Sequence, residues 1–336
     1  MITAAEIQRT TSIVKVTVAI PTCGRDAVLV RTIQGVREQE DPPDEVMVVD
    51  QCPGHTAEVT AALGGLRDSG QIRYITLPEA NLPAARNVAL RQSMCEVVIF
   101  IDDDVKLPRG FVSAHRKNYV DTEVAAVGGR VTSPDADMGP VSSVAGVVRK
   151  LDRRILFPAT PSGYSSPGEL DYRYLRVGSP CSVSSVANFP GGNHSVRRDC
   201  ALAVGGYDER YIGRAYREDS DMALRMWKAG YRIKFCADAW LEHLRAPTGG
   251  TRNRHGKGAF AWFYERCYSD LLFQFTHFYP RRAFWDEVFR VHLRAYLVTG
   301  ETVRRPWLFP VACSAYLAAW GKASAERKHA WTGDER

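Results

Sequence analysis

Three consecutive carboxylates, Asp102, Asp103 and Asp104, stand at the end of an unbroken apolar run, Val97 to Ile101. Adjacent like charges repel, so such a triplet is either a solvated acidic turn or a site where a hard cation compensates the charge. Two carboxylates one residue apart beyond a strand can hold a divalent metal through oxygen. A second acidic cluster, REDSD, carries Glu218, Asp219 and Asp221. On a helix beginning near Glu218, Ala223, Met226, Trp227 and Gly230 form one stripe. At about 100° per residue Asp219 falls within it and Asp221 roughly opposite. Carboxylates that complement the helix dipole account well for Glu218 and Asp221, and less well for an acid on the apolar face. Asp219 is therefore the candidate for chemistry. His243 follows later; by itself a lone histidine reads as structural or exposed.

Position depends on the elements that carry these groups. Val14 to Ile20 reads as a strand ended by Pro21 and Thr22, and Asp26 to Glu38 as a helix with Leu29, Ile33 and Val36 inward. Val46 to Val49 is a strand ending at Asp50, Thr56 to Leu66 a helix, Ile72 to Leu77 a strand and Pro83 to Ser93 a helix. Strands alternating with helices imply an α/β fold with a doubly wound, mostly parallel sheet. Ligands of such sheets sit beyond the carboxyl ends of the strands, so Pro21, Thr22, Asp50 and Asp102 to Asp104 should line one crevice.

The first turn, PTCGRD, contains neither GxGxxG nor GxxxxGK[ST]. Anionic charge in the crevice must then be handled otherwise, and a metal on the Asp cluster is the evident substitute. Asp50, an acceptor-only side chain, suits the imide N–H of a pyrimidine base; a plain turn Asp is the other reading. Asn81 is placed to cap a helix with Pro83 in its first turn, leaving Arg86 near an N-terminal end that attracts anions.

Between Ser133 and Pro190 the pattern dissolves, apart from an amphipathic piece at 144–151, and the stretch reads as a binding loop or lid. It ends in FPGGNHSVRR, where Gly191 and Gly192 permit a close backbone approach and Asn193 and Ser195 offer neutral hydrogen-bonding groups. Ile233 to Cys236 and Ala239 to Leu241 read as short strands. The basic segment RAPTGGTRNRHGKG that follows His243 could close over a diphosphate.

From Thr251 onward there are 14 Lys and Arg against 8 Asp and Glu, so the net charge of +6 lies wholly in the last quarter, and the 30 and 30 before it cancel. A neutral body argues against nucleic acid and leaves an anionic surface or lipid as the tail's partner. Helical pieces over 259–320, interleaved with aromatics and with Arg281, Arg282, Arg304 and Arg305, suit either a peripheral membrane contact or a homodimer. Eight cysteines without close pairing read as reduced thiols. With no leader and no spanning run, the expected location is the cytoplasm, with a peripheral place on the inner face of the plasma membrane as an extension.

VAIPTCGR, a strand ending in Asp50, ANLPAARN, FIDDD, GGNHSVRR, REDSD and a later His243 together resemble the family 2 inverting glycosyltransferases of the GT-A fold, over roughly residues 14 to 250. The resemblance implies a Rossmann-like sheet with an added C-terminal helical region, a nucleotide-diphosphate sugar donor (a UDP- or dTDP-sugar), and Mn²⁺ or Mg²⁺. It implies a glycan or polyprenyl-linked acceptor in bacterial surface polysaccharide synthesis. Carried over by position, Pro21, Thr22, Arg25, Asp50, Arg86, Asp102 and Asp103 bind the nucleotide and Asp104 and His243 the metal. Asp219 is the catalytic base, with Asn193 and Glu218 on the acceptor side. The expected domains are an N-terminal extension (1–13), a nucleotide-sugar half (14–133), an acceptor and catalytic-base half (134–250) and a basic, aromatic C-terminal region (251–336). The sequence departs from the family at VVDQCPGHT, where a further acid is common, and it lacks the QxxRW string of processive synthases, so one sugar per encounter is expected. A non-catalytic nucleotide-sugar-binding scaffold and a sugar nucleotidylyltransferase are the rival readings. Intact acidic clusters weigh against the first and the missing first-turn glycine motif against the second.

Overall fold

The computed structural model describes residues 14–52, 54–133, 182, 185–250, 259–277 and 306–331. The amphipathic piece at 144–151 and the arginines at 281, 282, 304 and 305 lie outside the described residues. Two compact units are present, one comprising Met1–Ala136, Pro167–Asp208 and Asp219–Gly250, the other Asp137–Ser166, Glu209–Glu218 and Thr251–Arg336.

The first unit is built on one sheet. Its elements run β1 (Val16–Thr22), α1 (Ala27–Arg37), β2 (Glu45–Asp50), α2 (Ala57–Asp68), β3 (Arg73–Thr76), α3 (Leu82–Gln92), β4 (Val97–Ile101), β5 (Val105–Lys106), α4 (Phe111–Arg116), β6 (Val124–Thr132), β7 (Asn193–Arg197), α5 (Arg198–Ala203), α6 (Glu218–Lys228, whose first residue belongs to the other unit) and β8 (Arg232–His243). The strand order is β3-β2-β1-β4-β7-β6-β8-β5. Strands β3, β2, β1 and β4 are parallel, β7 runs antiparallel to β4 and β6, and β8 is parallel to β6. The expected α/β sheet is present. Asn81 accepts from the Ala84 amide at 3.0 Å, as its placement before Pro83 requires.

Buried on both sides, β1 and β4 alternate their side chains between two cores. Val16, Val18, Ile20, Val46, Val48, Val97, Ile99 and Ile101 meet Leu29 and Ile33 of α1. Ala19, Met47, Val49, Val98 and Phe100 meet Ala85 and Ala89 of α3 and Met222, Ala223 and Met226 of α6. The same alternation, continued past the strand ends, decides where each polar residue of the crevice points.

Two expectations need correction. GGNHSVRR is not purely a loop: Asn193–Arg197 is a strand, inserted between β4 and β6. Its polarity hid it, because its buried side chains are satisfied inside the core. The Tyr119 hydroxyl donates to Ser195 Oγ at 2.8 Å, Ser195 Oγ lies 2.8 Å from His115 Nδ1, and His115 Nε2 lies 3.0 Å from Asn193 Oδ1. The two short strands expected near residues 233 and 239 are one twelve-residue strand, β8, whose pairing with β6 shifts register between Gly129 and Val131.

The second unit, as described, contains α7 (Ala259–His277) and α8 (Phe309–Trp331). Ala312, Ala315, Ala319 and Ala323 make a buried small-residue stripe on α8. Phe275 of α7 meets Tyr316 of α8 edge-on at 5.2 Å. Arg217 reaches Asp270 at 3.0 Å. Among the described residues no helix is long and apolar enough to cross a membrane.

Candidate active site

Asp104 lies just beyond β4 and is almost fully buried. Its Oδ1 is 3.1 Å from His243 Nε2, at the end of β8, and His243 Nε2 is 3.7 Å from Asp102 Oδ2. The Ala246 amide donates to Asp104 Oδ2 at 2.8 Å. Burial pushes the Asp104 carboxyl up, but the hydrogen bond and charge of His243, the Arg25 guanidinium and the Ala246 amide together bring it below its usual range. One ligand atom from each of Asp102, Asp104 and His243 fits within 4.8 Å of the others. Two hard carboxylates and an imidazole suit Mn²⁺ or Mg²⁺. The sheet thus brings together the first and last acids of the triplet and the histidine that carried little weight alone.

The neighbouring residues behave differently. Thr22, Asp50 and Asp103 fall on the α1 face. Thr22 Oγ1 donates to Asp103 Oδ2 at 2.7 Å, and Arg25 Nε donates to Asp103 Oδ1 at 3.2 Å. Arg25 also binds Asp104 Oδ2 at 2.9 Å, the Ala246 carbonyl at 2.9 Å and the Thr248 carbonyl. Burial pushes the Asp103 carboxyl up to about 7, against the pull of Arg25 and Thr22. Asp50 is fully buried: Oδ1 accepts from the Cys52 amide at 2.9 Å, and Oδ2 takes His55 Nε2 at 2.7 Å and the Tyr74 hydroxyl. The expected nucleotide contacts of Thr22, Arg25, Asp50 and Asp103 are therefore side chains engaged by the protein itself. Pro21 is buried on the α3 face, paired with Val49.

That α3 face also holds Asp219 of the second acidic cluster. A Cβ built on Gly191 would lie 2.9 Å from Asp219 Oδ2, and one on Gly192 would collide with the Asp102 carboxylate. The two glycines leave room for one carboxylate each, so the base candidate and the metal candidate flank consecutive residues. Arg86 holds this turn: its buried guanidinium donates to the Gly191 carbonyl at 2.7 Å and lies over the rings of Tyr207 (5.3 Å) and Phe100 (5.9 Å). Asp219 is half-buried, and its Oδ1 accepts from the Ser220 amide at 2.7 Å.

Further corrections follow. Asn193, expected on the acceptor side, is fully buried, and its amide donates to the carbonyls of Arg130 (2.9 Å) and Ala239 (2.8 Å). Asp221 is buried rather than opposite the core, and Trp227 and Gly230 are exposed. The first two turns of α6 are enclosed on most sides, and Arg225 one turn on neutralises Asp221 at 2.7 Å, which a one-stripe helix does not anticipate. Glu218 is buried in the other unit. Cys23 and Cys52 form a disulfide between the ends of β1 and β2, against the expectation of reduced thiols; their separation of 29 residues gave no signal. His55 joins Asp50, at 2.7 Å, to Asp26, at 3.2 Å.

Residues 17–160 match the family model described as Glycosyl transferase family 2, and residues 169–322 the one described as Glycosyl transferase family group 2. An O-antigen chain rhamnosyltransferase of Salmonella typhimurium is 25% identical over 231 residues, 68% of this chain and 66% of that protein, so the chain spans just under two thirds of that relative. A succinoglycan biosynthesis protein of Rhizobium meliloti is 26% identical, over 71% of this chain and 67% of that one. An N-acetylglucosaminyl-diphospho-decaprenol L-rhamnosyltransferase of Mycobacterium tuberculosis is 26% identical over 54% and 56%. In fold, the chain resembles a mannosyltransferase of Pyrobaculum calidifontis solved with GDP-Man and Mn²⁺ (TM-score 0.52, 20% identity, 95% of this chain and 79% of that one).

Proposed function

The chain belongs to glycosyltransferase family 2, and from that premise we propose that it moves one sugar, with inversion, from a nucleotide-diphosphate donor to a hydroxyl of a glycan or lipid-linked acceptor. The observation that carries the reading is the pair Gly191-Gly192, which sets the Asp219 and Asp102 carboxylates against adjacent backbone positions. Inversion requires the acceptor oxygen to attack C1 from the side opposite the departing phosphate, the C1–O bond to break, and the hydroxyl proton to leave. Asp219, half-buried with Oδ2 beside Gly191, takes that proton. Asp102, Asp104 and His243 would hold a divalent ion, which would supply Lewis-acid stabilisation of the diphosphate leaving group. Arg86 positions the Gly191 turn between the two. The relatives' names support a place in polysaccharide synthesis, and the decaprenol-linked substrate named for one of them favours a polyprenyl-linked acceptor, while a UDP- or dTDP-sugar donor is what the resemblance of the motifs implies.

One pair of variants tests the division of labour. Asp219→Asn should abolish transfer while leaving Mn²⁺-dependent binding of nucleoside diphosphate intact by calorimetry, and Asp104→Asn should lose that binding. Full activity in Asp219→Asn removes it as base; unchanged metal-dependent affinity in Asp104→Asn removes the metal site.

The reading extends to the cytoplasmic face of the membrane. Trp307, just before α8, and Phe309, Leu317 and Trp320 on it stay exposed, in the region that holds the whole positive excess, which supports a peripheral contact with anionic lipid. The protein should co-sediment with phosphatidylglycerol vesicles, and Trp320→Glu with Leu317→Glu should release it. Undiminished sedimentation of that variant rejects the lipid contact, and a concentration-dependent dimer seen by ultracentrifugation would give this face to a second copy.

A further inference from the structure

We propose that the Cys23–Cys52 bond is a reversible modification site, opened by a thiol of the glutathione class, and that its opening loosens residues 244–250 beside the metal candidates. The bond and its opening stand apart from the donor reading above; only the effect on nucleotide binding rests on it.

The other described cysteines are unsuited to exchange. Cys95, Cys200, Cys236, Cys267 and Cys313 are free thiols, and Cys95, Cys236 and Cys267 are buried. Burial pushes the thiols of Cys95, Cys200 and Cys267 up, the last to about 12, so they stay protonated and unreactive. Cys23 and Cys52 are joined and both are partly exposed, which lets an external thiolate reach a sulfur. Tying this pair while leaving five thiols reduced is the pattern of a switching disulfide, not of a disulfide framework. The parallel pairing of β1 with β2 runs to Thr22 and Asp50, and the Gln51 amide donates to the Thr22 carbonyl at 3.0 Å. The two thiols therefore stay neighbours when the bond opens, and can close it again.

The turn that carries Cys23 also supports a distant segment. The Cys23 carbonyl accepts from the Gly250 amide at 2.7 Å. Gly249 lies so close to Gly24 that a Cβ on it would strike the Gly24 carbonyl, and Arg25 donates to the Ala246 carbonyl at 2.9 Å and to the Thr248 carbonyl. That segment in turn holds a metal candidate. The Leu244 amide donates to the Asp104 carbonyl at 2.9 Å and the Ala246 amide to Asp104 Oδ2 at 2.8 Å, just past His243. Cys52 is anchored on its own side, its amide donating to Asp50 Oδ1 at 2.9 Å. The bond thus ties the turn under residues 246–250 to the buried Asp50 network, and opening it removes that tie.

Opening consumes two small thiols. The first, as thiolate, attacks one sulfur; the S–S bond breaks, a mixed disulfide forms and the other cysteine leaves as thiolate. A second thiol displaces the remaining cysteine and departs as the small-molecule disulfide, so two electrons pass to the protein and both cysteines take up protons. Closure is the reverse.

The test uses the full chain, purified without reductant and then held in millimolar glutathione or its disulfide. Iodoacetamide labelling read by mass spectrometry should mark Cys23 and Cys52 only after glutathione, with the labelling of Cys95, Cys236 and Cys267 unchanged. Amide exchange over 244–250 should rise about tenfold on opening, with β4 unaffected, and fall back on closure. Mn²⁺-dependent binding of UDP by calorimetry should weaken about tenfold in parallel. Cys23→Ser with Cys52→Ser should match the opened wild type and ignore glutathione; Cys52→Ala serves if the double variant fails to fold, judged by its melting curve. A bond that survives glutathione in the folded chain overturns the inference, as does a bond that opens without faster exchange over 244–250. Absence of metal-dependent UDP binding in both states counts against the donor reading alone, and labelling and exchange still decide the site.

Discussion

Asp102 and Asp103 are neighbours in the chain and opposites in the fold. Asp103, on the α1 face, is closed in by Thr22 and Arg25. Asp102, on the α3 face, lies against Gly192 near His243, its side chain about one third exposed. One face of the sheet's end is a closed internal network; the other leaves Asp102 and Asp219 partly exposed. Residue type therefore says little about role here, and strand parity says much.

The contrast can be broken most directly at Arg25. Removing one partner from a buried charge pair leaves the other uncompensated, so Arg25→Ala should destabilise the fold by about 3 kcal/mol in urea unfolding, with Asp103→Asn in the same chain recovering part of the loss. A variant of wild-type stability that fails only to bind nucleotide would put Arg25 on the ligand side instead.

An effect of similar size is expected from pH. Burial holds His115 down to about 4, below the ordinary value of 6.5, because it is enclosed with Ser195 and Asn193. The unfolded chain takes up a proton near 6.5 that the folded chain refuses until about 4. Its contribution is thus fully present above 6.5 and is lost as pH falls toward 4, on the order of 3 kcal/mol in all. Melting curves at stepped pH should decline across that window, and His115→Gln should flatten the decline by about one proton's worth. An unchanged slope would show that His115 is not the group responsible.

The smallest effect sharpens the contrast from the open side. Gly192→Ala should push the Asp102 carboxylate aside and weaken Mn²⁺ binding about tenfold with little change in melting temperature. Equal loss of stability would place Gly192 with the internal network.

The alternation of apolar runs with helical segments made the first four strands and three helices legible, because each has its own period and its own stops. The metal candidates were legible as well, since an acidic triplet past a strand end has few other uses once a second acid and a histidine are noticed. Asn193 misled because an amide looks the same in a crevice and in a core. Asp221 misled because a helix enclosed on most sides has no single apolar stripe.

By itself, the sequence determined the α/β class, the order of the strands' contributions and the set of acids from which a site could be made. Only the tertiary structure decided which of those acids are spent. Facing direction past a strand end depends on register, and hydrogen-bond demand depends on neighbours 29 to 221 residues away, such as Asp26 beside His55 and Ala246 beside Arg25. Those distances in the chain vanish on folding, and no local pattern of residues encodes them.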